Sequence, residues 1–267
     1  MSNAVRQLIE ADNLSQMGGK ATALGELLRA GFTVPVGFVV PAQPNEIGSL
    51  EPEIILQFNK LGAKFVAVRS SATAEDSSQA TWAGQLDTYL NVTRKDLLQR
   101  VKQCAESAKS PRAQAYAEQN SVPAGKVAVI VQVMLNSQIS GIAFSAHPVT
   151  GNLNQIVVEA ALGLGEAIVS GDITPDMFVL EKQTYKVIEE HIATQDKLIK
   201  RLESGETSWQ PIKPSYDQPK LDDIQLRELS SIVQQIENLY GFPVDIEWAY
   251  AGGKLYILQS RPITTLG

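Results

Sequence analysis

The sequence is poor in the residues that build covalent frameworks and metal cages. A single cysteine, Cys104, among 267 residues excludes an internal disulfide framework and a cysteine-rich metal site. Two histidines, His147 and His191, are too few for a three-histidine metal centre. No stretch approaches the roughly 18 consecutive apolar residues of a transmembrane helix. The opening MSNAVRQLIEADNLSQ has no apolar h-region and so reads as no secretory signal. Positive charge is in deficit: 23 Lys and Arg against 29 Asp and Glu leave a net −6 at neutral pH. That balance argues against nucleic acid or an anionic membrane as a partner. What is present is 44% apolar and 19% charged, enough to fill a core and unlike a disordered chain. At about 150 residues per domain, the length gives one or two domains. A reducing, cytoplasmic setting is expected.

Periodicity divides the chain. After Gly18-Gly19-Lys20, Leu24, Leu27 and Leu28 recur at helical spacing, with Gly31 as the stop. Residues 32–40 read as a buried strand interrupted by Pro35, and 41–52 as loop. Residues 65–69 are β-rich and run into a small, polar stretch, 70–84, before strand character returns at 86–92. Residues 96–119 read as helical, with Pro111 at a break or at a first helical position. From 127 the texture turns to strands, at 127–134, 141–145, 155–161, 177–180 and 185–190. Residues 200–220 are polar and proline-containing and read as a mobile excursion. The strongest helix is 221–240, with Leu226, Leu229, Ile232, Val233, Ile236, Leu239 and Tyr240 on one stripe and Gly241 as cap. Two strands, 244–250 and 255–261, then flank Gly252-Gly253 as a hairpin. The shift near residue 120 predicts a mixed lobe over 1–120 and a sheet-rich lobe over 121–267.

The terminal hairpin carries the most chemistry. Residues two apart on a strand share a face, so Asp245 and Glu247 point one way while Ile246 and Trp248 point the other. Gln259 and Arg261 are also two apart. Two carboxylates, an amide oxygen and a guanidinium on one face suit Mg²⁺ and phosphate, because hard oxygen donors hold Mg²⁺ together with substrate phosphates and Arg grips phosphate bidentately. Glu247 and Gln259 share a face only if paired residue numbers add to an even total, and a symmetric two-residue turn at Gly252-Gly253 gives an odd one. An odd-length connection or a bulge is therefore predicted; a merely solvated hairpin face is the alternative. Lys20, after two glycines at a helix start, can present its ammonium to phosphate, though the surroundings are no Walker A motif. Arg69 enters the Ser/Thr/Gly loop, whose backbone amides could fold over a polyphosphate. Gly163-Leu164-Gly165-Glu166 says little alone, and His147, His191 and Cys104 read as structural or exposed.

Together these stretches resemble one family. GGKATALGELLRAGFTVPVGFVV (18–40), VAVRSSATAEDSSQATWAGQLDTYLNV (66–92), VAVIVQVML with GIAFSAHPVTG (127–151), VVEAALGLGEAIVSGDITPD (157–176) and DIEWAYAGGKLYILQSRPIT (245–264) are similar to the N-terminal ATP-binding, ATP-grasp-type domain of phosphoenolpyruvate synthase, pyruvate phosphate dikinase and rifampin phosphotransferase. The resemblance implies an α+β, two-lobed ATP-grasp-like fold with ATP in the cleft between lobes. It assigns Lys20 and Arg69 to the ATP phosphates, with the 70–85 loop closing over them through Thr81 and Gly84. Gln132 and Met134 would line the adenine pocket, and Glu159 would also contact the nucleotide. Glu247 and Gln259 would ligate Mg²⁺, and Arg261 would hold the transferring phosphoryl group. The implied activity is ATP- and Mg²⁺-dependent phosphotransfer, with Lys20, Arg69 and Arg261 catalytic and no protein nucleophile required. Relatives carry a phosphorylatable histidine in a Gly-rich Thr/Ser-His-Ala motif, and neither His147 nor His191 lies in one. The acceptor is therefore expected to be a phosphohistidine domain on a partner or a small molecule. Two alternatives stand beside this reading: an ATP-grasp ligase that activates a carboxylate as an acyl phosphate, and a non-catalytic nucleotide- or partner-binding module.

Overall fold

The computed structural model describes residues 5–42, 47–73, 86–119, 126–264 and 266. The chain forms two compact units, Met1–Met134 and Leu135–Gly267. The division falls after the composition shift near residue 120. The strand that opens the β-rich half hydrogen-bonds to strands of the first unit, and so belongs to it.

The first unit is built on an antiparallel sheet of β1 (Arg6–Gln7), β2 (Gly37–Val40), β3 (Val66–Ala72), β4 (Thr88–Val92) and β5 (Val127–Val133), in the order β1-β2-β5-β3-β4. β5 is central and reads VAVIVQV, an almost unbroken apolar run, because both of its faces are covered. Alternation along β3 shows what covers them. Ser71 Oγ accepts the Ala21 amide at 3.1 Å from α1 (Leu14–Arg29), while Ser70 Oγ turns the other way, to the Cys104 carbonyl of α3 (Leu97–Glu106). On that second side Leu97, Val101 and Cys104 join Phe38, Val68, Val131 and residues of α2 (Glu51–Leu61), including Ile54 and Phe58, in one core cluster. Burial pushes the Cys104 thiol up to about 12, so it is an inert small apolar filler. α4 (Pro111–Gln119) follows with Pro111 at its first position.

Two local outcomes differ from the sequence reading. Strand geometry begins only at Gly37, after Pro35, which has no amide to give a ladder. The expected loop over 41–52 ends early, at the start of α2 (Glu51–Leu61), a helix the sequence reading did not assign, with Ile54 and Phe58 buried one turn apart. The stop of α1 is as expected. Gly31 adopts φ +88°, its amide bonds Leu28 O and the Phe32 amide bonds Leu27 O, the paired bonds of a Schellman motif.

The second unit is a six-stranded antiparallel sheet. Its strands are β6 (Ile139–Phe144), β7 (Gln155–Leu162), β8 (Asp176–Glu181), β9 (Val187–His191), β12 (Val244–Ala251) and β13 (Lys254–Pro262), ordered β13-β12-β6-β7-β8-β9. Between β7 and β8 lies the short α5 (Glu166–Val169), and between β9 and β12 lie the hairpin β10 (Gln195–Arg201) with β11 (Thr207–Tyr216) and the helix α6 (Asp223–Tyr240). α6 packs across β12 and β7 and buries Leu226, Leu229, Val233 and Ile236. Leu239, at the end of the expected stripe, is 41% exposed. A capping box at Asp222 and Gln225 starts α6, and Gly241 at φ +76° ends it.

The 200–220 region is ordered, contrary to the excursion expected there. β10 and β11 pair from Lys197–Pro211 to Arg201–Thr207. Two side chains tie this ribbon down. Gln195 bonds both the amide and the carbonyl of Leu162, extending the ladder of β7. Lys220 Nζ reaches Asp176 Oδ1 at 2.7 Å with both side chains fully buried; the Asp176 carboxylate also accepts the Ala193 and Lys220 amides, and Lys220 Nζ also donates to Ala193 O. Every charge in this network has its partner, as burial demands. Among the described residues no helix is long and apolar enough to cross a membrane.

Candidate functional site

The β12–β13 hairpin turns at Gly252 and Gly253, both at positive φ (+58° and +74°), between the paired residues Ala251 and Lys254. This is the tight two-residue turn the two glycines suggest. From the turn to the Trp248–Ile257 pair, partner numbers add to an odd total. Between Trp248 and Glu247 the register shifts: Leu258 is the extra residue, and Glu247 then faces Gln259, Ile246 faces Ser260 and Asp245 faces Arg261. Of the two devices expected, the bulge is the one used. It places Asp245, Glu247, Gln259 and Arg261 on one face, with directly opposed Cβ atoms about 4.5–5.5 Å apart.

That face is the one away from α6. Tyr250, on the opposite face of β12, bonds the α6 residues Glu228 (2.7 Å) and Gln225. Following the register outward, Glu247 pairs with Ile142 of β6, Ile142 with Glu159 of β7, Glu159 with Met177 and Met177 with His191. Glu159 therefore shares the face of Glu247, two strands over. Gly141 is required on the reverse side: a Cβ there would run into the Glu159 carbonyl and lie 2.5 Å from the Trp248 ring.

Electrostatics mark the face. Arg261 Nε and Nη2 both donate to Asp245 Oδ2, at 2.8 and 2.6 Å. Burial nevertheless raises the Asp245 pKa above the ordinary carboxylate range; Arg261 opposes the rise and the Glu247 charge adds to it. Burial likewise raises Glu159, and the Asp245 charge contributes. Negative charge thus gathers where water is scarce, the condition that favours a cation or a guanidinium. Among the described residues no three His, Cys, Asp or Glu side chains form a ready metal cage. Mg²⁺ does not need one. It binds through one or two protein oxygens and completes its shell with water and phosphate, which a Glu247 carboxylate opposite a Gln259 amide oxygen can supply.

In the first unit, Lys20 lies in the first turn after Gly18, whose φ of +76° and ψ of 167° break α1 and restart it. The restarted helix directs its amide end and the positive pole of its dipole at this point. Arg69 lies on β3 two residues before Ser71, on the α1 side of the sheet. Gln132 is 3% exposed and its amide donates to Pro35 O at 2.8 Å; the Met134 amide donates to Phe65 O. Both are tied into their own unit. Thr81 and Gly84, with most of the 70–85 loop, lie outside the described residues. His147 caps a turn, its Nδ1 accepting the Val149 and Thr150 amides at 3.3 Å. Sequence reasoning gave Asp245 a face but no role of its own. The signal was available: Asp-x-Glu on one strand and Gln-x-Arg on the next put Asp245 opposite Arg261 as soon as Glu247 faces Gln259.

The chain matches the family model described as pyruvate phosphate dikinase, AMP/ATP-binding domain, over residues 44–267. It is 36% identical to a probable phosphoenolpyruvate synthase of Methanocaldococcus jannaschii, over 93% of this chain and 25% of that protein. It is 38% identical to the rifampicin phosphotransferase of Bacillus subtilis, over 97% of this chain and 35% of that protein. It thus spans about a quarter to a third of the length of these relatives. Among solved structures it is similar to a D-alanine–D-alanine ligase from Coxiella burnetii, with a TM-score of 0.42 and 11% identity, over 91% of this chain and 47% of the other. With the family model covering most of the sequence, the chain belongs to the pyruvate phosphate dikinase AMP/ATP-binding domain family.

Proposed function

We propose that this chain binds ATP with Mg²⁺ and passes a phosphoryl group to an acceptor other than its own histidines. The observation that carries the reading is the β13 bulge, which turns a Glu–Gln oxygen pair and an Asp-held Arg to one face. A two-residue turn alone would have sent Gln259 and Arg261 to the α6 side. Phosphoryl transfer asks for positioned charge rather than a covalent protein intermediate, and this set answers that need. Lys20 and Arg69 bind phosphate oxygens, and Arg261 neutralises charge on the group in flight. Asp245 holds the Arg261 guanidinium in one orientation. Glu247 and Gln259 would hold Mg²⁺, which would supply positive charge to neutralise phosphate oxygens. Glu159 adds a further acceptor for the nucleotide, and Thr81, Gly84, Gln132 and Met134 complete the proposed contacts.

His147 is occupied as a turn cap, and His191 stands four strands from Glu247, on the order of 19 Å away at ordinary strand spacing. The acceptor is therefore assigned to a phosphohistidine domain or a small molecule. The test is ATP turnover with AMP and ADP separated. AMP formed only with a histidine-bearing phosphocarrier domain supports dikinase-type transfer, and ADP formed with a small acceptor supports direct transfer. Glu247→Ala and Arg261→Ala are each expected to abolish turnover with the fold retained. Unchanged turnover in both variants would refute the assignment of this face.

A further inference from the structure

Beyond these contacts, we infer that Ser71 is a positioning residue for Lys20, acting as an N-cap supplied from a different element of the fold. Helices begin with amides that have no partner inside the helix, and the usual remedy is a Ser, Thr, Asp or Asn at the N-cap whose side-chain oxygen accepts the amide of the third residue. The helix restarted after Gly18 has its N-cap at a glycine, which has no side chain to offer. Its third residue is Ala21. The Ala21 amide donates instead to Ser71 Oγ at 3.1 Å, across 50 residues of sequence.

A second observation shows that the two positions are shaped for each other. A Cβ built on Gly18 would collide with the Ser71 carbonyl and with the same Oγ that forms the cap. Gly18 holds φ +76°, a conformation that also favours glycine. Position 18 therefore gives up its own cap so that β3 can approach and provide one. Ser71 is fully buried, and the Thr22 hydroxyl closes the turn on Gly18 O at 2.9 Å. An ordinary N-cap would fix the helix to itself. This one fixes the start of the Lys20 helix to the strand that carries Arg69 two residues earlier, so the two cations assigned to phosphate share one rigid frame.

The inference rests on the proposed role of Lys20 in binding ATP, and a double-mutant cycle separates the two. Binding of a non-hydrolysable ATP analogue with Mg²⁺ is measured by calorimetry in wild type, Lys20→Ala, Ser71→Ala and the double variant. Ser71→Ala is expected to weaken binding about fivefold, the worth of a typical N-cap. In the Lys20→Ala background the same change is expected to have no effect, because Ser71 acts through Lys20. An equal loss in both backgrounds overturns the positioning role while leaving the ATP reading intact. A wild type that does not bind overturns the ATP reading and the positioning role with it, and a Lys20→Ala variant that binds as wild type does overturns the phosphate role of Lys20 and the positioning role while leaving ATP binding intact. Should Ser71→Ala not fold, Ser71→Cys keeps the volume with a poor acceptor and carries the same cycle. Amide exchange reads the cap itself: Ala21 is expected to lose protection in either Ser71 variant, and unchanged protection refutes the cap.

Discussion

Removing the Arg261 guanidinium should leave a carboxylate that the fold has partly dried and no longer neutralises. In Arg261→Ala, Asp245 keeps its burial and its Glu247 neighbour and loses the one charge that opposes them. Breaking a fully buried ion pair costs about 3–5 kcal/mol. Here the Arg261 side chain is 30% exposed and that of Asp245 11%, so solvent screening reduces the expected cost to about 1–2 kcal/mol. The sign with pH follows from linkage. The Asp245 pKa in the fold is already above its unfolded value and rises further in the variant, so the folded state binds its proton more tightly. The deficit against wild type is therefore full where Asp245 must be ionised, near pH 8. It fades as the pH falls through the raised pKa and is gone below the ordinary carboxylate range. Urea denaturation of both proteins from about pH 8 to about pH 4, followed by near-ultraviolet circular dichroism, measures it. A deficit that grows on acidification, or none near pH 8, would refute the reasoning.

Glu159→Gln removes a carboxylate whose pKa is raised by burial and by Asp245, so it is expected to stabilise the ligand-free protein near neutral pH and to lose that advantage in acid; thermal melts at the two pH values decide, and a lower melting temperature at neutral pH contradicts the assignment. The same variant is expected to weaken binding of the Mg²⁺–ATP complex, measured by calorimetry. Lys220→Met strands Asp176 at full burial and is expected to cost about 3–5 kcal/mol, with amide exchange rising first along β10 and β11; a variant as stable as wild type would show the pair to be dispensable.

Much of this architecture was legible because local and tertiary signals agree. The α6 stripe, its Gly241 cap and the strand runs from 127 onward needed only periodicity. The features that were missed owe their form to distant partners. β5 reads as the start of a sheet-rich half, and composition alone places a boundary before it. Its ladder partners, β2 and β3, lie far upstream and claim it for the first unit. The β10–β11 ribbon has an exposed, polar surface and two prolines in β11, so nothing local argues for strands. Its order comes from Gln195 on Leu162 and Lys220 on Asp176, the second contact spanning 44 residues. α2 is a different case, since Pro52 early in its first turn and the Ile54–Phe58 spacing were helix signals within view.

The hairpin shows how far a chemical premise can discipline a structural one. Two adjacent glycines demand the tightest turn, and a tight turn with regular pairing sends Gln259 and Arg261 to the α6 side. Chemistry demanded the other side, and the conflict predicted an irregularity without locating it. Its position at Leu258 follows from what flanks it. Ile257 is 1% exposed beside Trp248, and Ser260 is 2% exposed beside Ile246, so both have to stay on the α6 face. Between two residues held on the same face, strict alternation allows an odd number of intervening residues, yet two lie there, Leu258 and Gln259. The surplus must bulge, and the register steps at Leu258, the less buried of the two. The apolar core on the α6 side therefore creates the irregularity, and the carboxamide and guanidinium on the far side inherit their direction from it.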